Sequence, residues 1–287
     1  MRLEKKEVKR ISVAIVLAFI TAVMCLAITE NGSAAQKIEW DNNVIEVSGT
    51  GVIPEYATSP GQGQALARRA AIVDAYRNLA SVIYGVQVDS DTTVEQLAVK
   101  NDTIKTNVSG LIKNARITDE RAESNGNYSV TMAVRVFGER SSLAAAIYSN
   151  KAPAIPTAIP YVSQSTATST DNKVIPVSQA TGVVVDCRGL NLDRVMSPVI
   201  RDTSGRAVYG TQHVESDWVI KHGMASYVHD ETPGDLTRAG SNPIIVKAVS
   251  LDNHNWDPVI SKEDADKILS ANQANGFLQK CPVVFIQ

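Results

Sequence analysis

The chain reads as α+β: two α+β domains joined by a Pro/Ser/Thr-rich linker, after an N-terminal signal segment. Three observations predict this. Ala65 to Val88 is a long alanine-rich amphipathic run that stops at a glycine and turns straight into a strand. Asn125-Gly126 stands between two alternating runs, the pair preferred for a tight hairpin turn. Residues 150–177 hold Pro153, Pro156, Pro160 and Pro176 among many Ser and Thr, with Tyr161 as their one aromatic. Such a segment buries too little apolar surface to offset the entropy of ordering, so it reads as an extended linker. The units are residues 1–35, 40–149, 150–177 and 178–287.

Residues 1–35 read as an address. Lys5, Lys6, Lys9 and Arg10 precede an uncharged, mostly apolar run of 18 residues from Ile11 to Ile28. Ser33 and Ala35 stand three and one before a cleavage point between Ala35 and Gln36. The segment is a cleaved signal peptide or, being at the short edge of a spanning length, an uncleaved anchor. Met24 and Ala22 occupy the places where a lipobox wants a small residue and a leucine, so Cys25 does not read as a lipid carrier. Taking away five Lys/Arg and three Asp/Glu leaves 23 basic and 27 acidic residues, a net charge of −4. That mild balance gives no electrostatic reason for nucleic-acid binding.

In the first domain, Ile45, Val47, Gly49, Gly51 and Ile53 fall on one face of an opening strand, and the two glycines leave room for a helix to lie close. Ser59 and Pro60 are a cap and a first-turn proline. Ile72, Tyr76, Leu79 and Ile83 form the apolar stripe, while Ala70, Ala71, Ala75 and Ala80 keep the neighbouring faces thin. Gly85 stands where a left-handed C-terminal cap belongs. A second helix is expected over Asp102–Asn114. A hairpin of 117–124 with 127–137 follows, turning through Asn125-Gly126 in type I′ geometry, and a short helix over Ser141–Tyr148 closes the unit. Arg68, Arg69 and Arg77 are the solvated side of the long helix and a candidate interaction face.

In the second domain, Gly182 to Asp186 carries three consecutive valines, the pattern of a strand buried on both faces. Further strands are expected over 198–202, 206–209, 242–249 and 283–286, with a helix running from Ser261 to Gly276. Cys187 ends one strand and Cys281 begins another. They are a candidate disulfide if those strands are antiparallel neighbours, and sit at opposite ends if the strands are parallel. Two buried free thiols are the alternative.

The motifs of common chemistries are absent: no G-x-S-x-G, no H-E-x-x-H and no P-loop. Gly49-Thr50-Gly51 follows a strand, but Pro54 occupies the third glycine position of a dinucleotide fingerprint. His213, Glu215 and Asp217 alternate as on a strand face, and Asp252, His254 and Asp257 share a polar loop. Neither set has the spacing of a metal site, so no catalytic, cofactor or metal residue is assigned. Trp218, Tyr227 and Trp256 are the candidate lining of a ligand groove in the second domain.

One resemblance accompanies these readings. It is carried by Gly49-Thr50-Gly51, by the helix residues 71–80 (AIVDAYRNLA), by Gly85-Val86, by Ser109-Gly110 and by the strand Tyr128 to Val136. Over residues 40–140 the chain resembles the LPP-twenty family of small envelope lipoproteins and the N-terminal domain of flagellar assembly protein T. The resemblance implies an exported α+β module that works by contact with envelope proteins rather than by catalysis. The expected function is therefore that of a non-enzymatic assembly or scaffold factor of the periplasm or cell envelope, touching a membrane only through an uncleaved N-terminal segment. The alternatives are a module binding a cell-wall sugar or peptide in the second domain, and a hydrolase whose site is assembled from distant residues.

Overall fold

A computed structural model describes residues 37–124, 126–138, 140–149, 179–211 and 214–287. The expected signal segment, its Ala35–Gln36 cleavage point, Cys25 and the linker 150–177 lie outside the described residues, as do Asn125 and His213.

In the first half, β1 (Lys37–Glu39), β2 (Val44–Gly51), β5 (Arg116–Ala122) and β6 (Tyr128–Arg135) form one antiparallel sheet in the order β1-β2-β6-β5. Helix α1 (Pro60–Gly85) lies across it, capped by Ser59, whose Oγ accepts the Gln62 N–H at 3.2 Å. A short β3–β4 pair (Gln87–Asp89 and Thr92–Thr93) and helices α2 (Val94–Lys100) and α3 (Asp102–Lys113) connect α1 to the hairpin. Helix α4 (Leu143–Tyr148) follows, capped by Ser142.

The contact between α1 and β2 is made by backbone. The buried residues of α1 are Gly63, Ala67, Ala71, Ala75, Leu79 and Ile83, a row at every fourth position. A Cβ on Gly49 would stand 2.1 Å from the Ala75 nitrogen, and one on Gly51 would stand 2.0 Å from the Ala67 carbonyl oxygen. The alanine row, not the expected Ile72 and Tyr76, is thus the deepest seam. Those two larger residues flank it half-buried, and Ala70 is exposed. A glycine strand selects small partners, which a ranking by hydrophobicity alone misorders. Gly85 also departs from expectation. It is the last helical residue, its φ is not positive, and the extended Val86 ends the helix.

β1 pairs with Val44–Glu46, and among the described residues no strand pairs with the outer edge of β2 beyond that point. Two α1 side chains close it. Asp74 Oδ2 accepts the Thr50 N–H at 3.0 Å, and Asn78 Nδ2 donates to the Ser48 carbonyl at 2.9 Å. The polar residues of the helix motif therefore act as a substitute strand for an exposed edge. At the hairpin, Gly126 N–H bonds the Glu123 carbonyl and Glu123 N–H bonds the Asn127 carbonyl. Gly126 has φ 86°, while Asn125, the other half of the expected type I′ pair, lies outside the described residues.

The second half contains two sheets. β10 (Ser226–Val228), β14 (Val283–Ile286), β7 (Gly182–Asp186) and β11 (Pro243–Lys247) form an all-parallel sheet in that order. β12 (Ser250–Asp252), β13 (Asp257–Ile260), β8 (Ile200–Asp202) and β9 (Ala207–Tyr209) form a mixed one. The valines of β7 are fully buried, as a central parallel strand requires. Helix α5 (Ser216–His222) lies in a stretch for which the sequence predicted no element, and α6 (Lys262–Asn275) ends at Gly276 in the left-handed region.

The two halves share one apolar core. Helix α4 is buried on every side, packed against α3 of the first half and α5 of the second. The Ser197 N–H bonds the Val88 carbonyl at 2.7 Å and the Gly138 N–H bonds the Ile220 carbonyl at 2.8 Å. Tyr148 and Ser197 hydrogen-bond through their buried hydroxyls.

Candidate functional site

Arg68, Arg69 and Arg77, the expected interaction face, do not form one patch. Nine residues separate Arg68 from Arg77, so at roughly 100° per residue they point to opposite flanks of α1. Arg68 is drawn to Glu120 of β5 at 2.8 Å, and Arg77 lies 3.7 Å from Asp74 on the β2 side. Arg69 is exposed between them.

Cys187 and Cys281 are free, buried and far apart. β14 and β7 run parallel with Val283 opposite Val183, which sets the cysteines at opposite ends of the pair. Six positions of offset at about 3.3 Å each put them roughly 20 Å apart, well beyond disulfide reach. The candidate disulfide is therefore excluded. Burial pushes the Cys187 thiol up to about 12, so it is held as the neutral form.

The polar sets weighed for metal also resolve. Glu215 caps α5 and Asp217 lies in its first turn, so they are not on a strand face. Asp257 is fully buried and engaged: it accepts from Asn253 Nδ2 at 2.7 Å, from Arg201 Nε at 3.3 Å and from the Val199 N–H at 3.3 Å. Among the described residues no group of three or more His, Cys, Asp or Glu converges as metal ligands.

What the fold does bring together is aromatic. The chain has three tryptophans, Trp40, Trp218 and Trp256, and each is half-buried along one seam where the halves meet. Three adjoining concavities make up the seam. The first, about 350 Å³, is lined by Trp218, His222, Ser226, Arg238 and Lys280. The middle one, about 400 Å³, shares His222, Ser226 and Arg238 with it and adds Tyr227, Phe137, Trp40 and Arg194. The third, about 510 Å³, shares Trp40 and Arg194 with the middle one and reaches Trp256 and His229. Trp218 and Trp256 thus lie at the two ends and do not line a common pocket, while Tyr227 lies between them. Trp40, which the sequence reading did not single out, is the aromatic that bridges the middle and far concavities.

The seam's cations are held in place. Arg238 donates to the carbonyls of His222 at 2.8 Å and Cys281 at 2.7 Å, and also to that of Gly223, which clamps the C-terminal end of α5. Burial pushes its pKa below the usual guanidinium value, though never enough to discharge it. Arg194 bonds Asp41 of the first half at 2.5 Å and Gln287 at 2.9 Å, with its guanidinium carbon 5.7 Å from the Tyr227 ring centre. The His222 ring lies 4.5 Å from that of Trp218. Its pKa is lowered by burial first, then by Lys221 and Arg238.

A separate concavity of about 860 Å³ lies within the first half, between α3, the start of β5, the end of β6 and the approach to α4. Arg116, Arg135 and Arg140 line it.

Residues 54–135 match the LPP20 lipoprotein family. That span covers α1, the Asp74 and Asn78 contacts and the hairpin. It supports the LPP-twenty resemblance and offers nothing for the flagellar assembly protein T one. Residues 182–287 match the second domain of Treponema pallidum Tp0624. A search of the curated proteins found no match. Trp218, Tyr227 and Trp256 all fall in the second matched span, whereas Trp40 precedes the first. Among the described residues, no helix is long and apolar enough to cross a membrane.

Proposed function

We propose that this is an exported protein of the cell envelope that works without catalysis, by binding another envelope protein along the tryptophan seam. The envelope location is supported by the match of residues 54–135 to a lipoprotein family and by the export signal read in residues 1–35. The observation that carries the contact function is that all three tryptophans line adjoining concavities, with Tyr227 and two anchored arginines between them. Tryptophan, tyrosine and arginine are the side chains that dominate binding energy at protein interfaces, because they bury large area at little entropic cost. Arg194 and Arg238 are already fixed by their bonds, so little ordering remains to be done on association. A small sugar or peptide held between Trp218 and Trp256 is disfavoured, since those rings lie in different concavities. The flagellar association has no observation behind it and is not part of the proposal.

The test places a photo-crosslinking side chain at Lys280 or at His229, one at each end of the seam, in the full protein in intact cells. The expected result is one envelope protein captured from both positions and lost when Trp218 and Trp256 are both changed to Ala. Capture that survives the double substitution, or fractionation of the protein away from the envelope, would overturn the proposal.

A further inference from the structure

The middle concavity of the seam opens onto the edge of a sheet. β10 is an outermost strand of the parallel sheet, and among the described residues it pairs with β14 alone. The Gln287 N–H bonds the Val228 carbonyl, so the backbone groups of Ser226 and Val228 face β14. Along a strand these groups alternate in direction, and those of Tyr227 therefore point the other way, off the sheet. Ala225, two positions earlier, is in the same phase, and both residues line the middle concavity. Neither has a hydrogen-bond partner for its N–H or its carbonyl among the described residues. The outer edge of β2 is closed by Asp74 and Asn78, whereas this edge stays a template on which another strand can pair.

The side chains around the edge specify what such a strand carries. Ser226 and Tyr227 are successive residues, so they stand on opposite faces of the sheet. On the Ser226 face lies Arg238, whose guanidinium donates to the Ser226 hydroxyl at 3.4 Å, and His222 and Lys280 line the same concavity. Arg238 spends its other donors on three backbone carbonyls, and among the described residues no carboxylate pairs with its charge. Asp235, which also lines the middle concavity, accepts from the Thr232 hydroxyl instead. On the Tyr227 face the cation is already matched: Arg194 lies over the Tyr227 ring and is bound to Asp41, and Val195 meets the Tyr227 hydroxyl. We infer that the partner enters the seam as an extended segment that adds a strand to β10, with acidic side chains toward Arg238 and apolar ones toward Tyr227. This inference names the binding mode of the contact function proposed above and rests on it.

The test titrates the full ¹⁵N-labelled protein with short peptides blocked at both ends. One alternates Glu and Val, a second alternates Lys and Val, and a third holds the Glu and Val residues in separate blocks. The alternating Glu/Val peptide is expected to slow hydrogen exchange of the Tyr227 amide about tenfold or more, because that N–H gains a partner. The other two peptides should bind about tenfold more weakly or worse, one for its charge and one for its pattern. N-methylation of all the Val residues or of all the Glu residues removes the donors from one edge of the peptide or from the other. Only one of the two should abolish binding, since an added strand pairs through a single edge. No protection of Tyr227, equal binding of the Lys/Val peptide, or equal effects of the two methylations would overturn the inference. A partner captured in cells from Lys280 and His229, with Tyr227 left unprotected, would overturn strand addition alone and leave the contact function standing. No captured partner would overturn both.

Discussion

The two halves of this protein bury their sheets by different means. In the first, one helix is laid against a glycine-bearing strand so closely that the contact is backbone to backbone, with Ala67, Ala71 and Ala75 over Gly49 and Gly51. In the second, a parallel sheet is filled by volume, with Val183, Val184, Val185, Val283 and Phe285 fully buried. Their charges differ likewise. The first half keeps ion pairs such as Arg68–Glu120 on the solvent side, whereas the second buries Asp202 and Asp257 within hydrogen-bond networks. The difference teaches where each half is vulnerable: the first to a single added methyl group, the second to acid.

The largest effect should come from that methyl group. Gly49→Ala puts a carbon 2.1 Å from the Ala75 nitrogen, and neither backbone can yield without lifting α1 off the sheet. We expect a loss of about 4 kcal/mol or more in urea unfolding, or failure to fold. Gly182→Ala in the second half meets the Ala239 and Pro282 carbonyl oxygens at 2.5 Å, a shallower overlap than the 2.1 Å at Gly49. Its cost should be clearly smaller. Equal losses would break the contrast between the halves.

Acid should act through the second half. Burial is the largest influence on Asp202 and would raise its pKa. Hydrogen bonds from the Ser204 hydroxyl and N–H, the Arg206 N–H and the Arg206 guanidinium together outweigh it and hold the carboxyl at about 2. The folded value lies below the unfolded one, so this stabilisation is complete above about pH 4 and disappears as pH falls through 2. Asp202→Asn should cost about 2 kcal/mol at pH 7 and almost nothing near pH 2, read from urea midpoints at the two pH values. A penalty that does not change with pH would locate the acid sensitivity elsewhere.

A smaller effect probes the substitute strand. Asn78→Ala leaves the Ser48 carbonyl without its partner at the open edge of β2, where water can replace it in part, so about 1 kcal/mol should be lost. Faster amide exchange at Thr50 and its neighbours, with the second half unaffected, would confine the change to that edge. Exchange rising across both halves would mean that the shared core, and not the edge, depends on Asn78.

The elements read correctly from sequence are those whose evidence is local. The long helix, the alternating strand Tyr128 to Val136, the valine strand β7 and the Ser261–Gly276 helix each carry their own periodicity and caps. What was not legible depends on partners distant in the chain. Trp40 and Trp256 line the same concavity although 216 positions separate them. Nothing near either one says so. Arg116, Arg135 and Arg140 look like scattered surface charge until the hairpin register sets the first two side by side. The cysteines could be resolved only by strand direction, and α5 was hidden because Glu215 and Asp217 alternate as a strand would.

Gly85 is the sharpest case of a local signal misread, and it yields the smallest of the expected effects. A glycine at the end of an apolar helix ordinarily means a left-handed cap, where any side chain is strained. Here the residue is helical, and a Cβ would meet nothing within 4 Å. Gly85→Ala should therefore stabilise the protein by about 0.5–1 kcal/mol, by removing backbone freedom from the unfolded chain without cost to the folded one. The turn out of α1 rests instead on Val86, whose N–H bonds the Ile83 carbonyl and whose carbonyl accepts the Val94 N–H. A destabilised Gly85→Ala protein would mean that this residue does need its glycine, and that the helix ends by conformation and not by the burial of Val86.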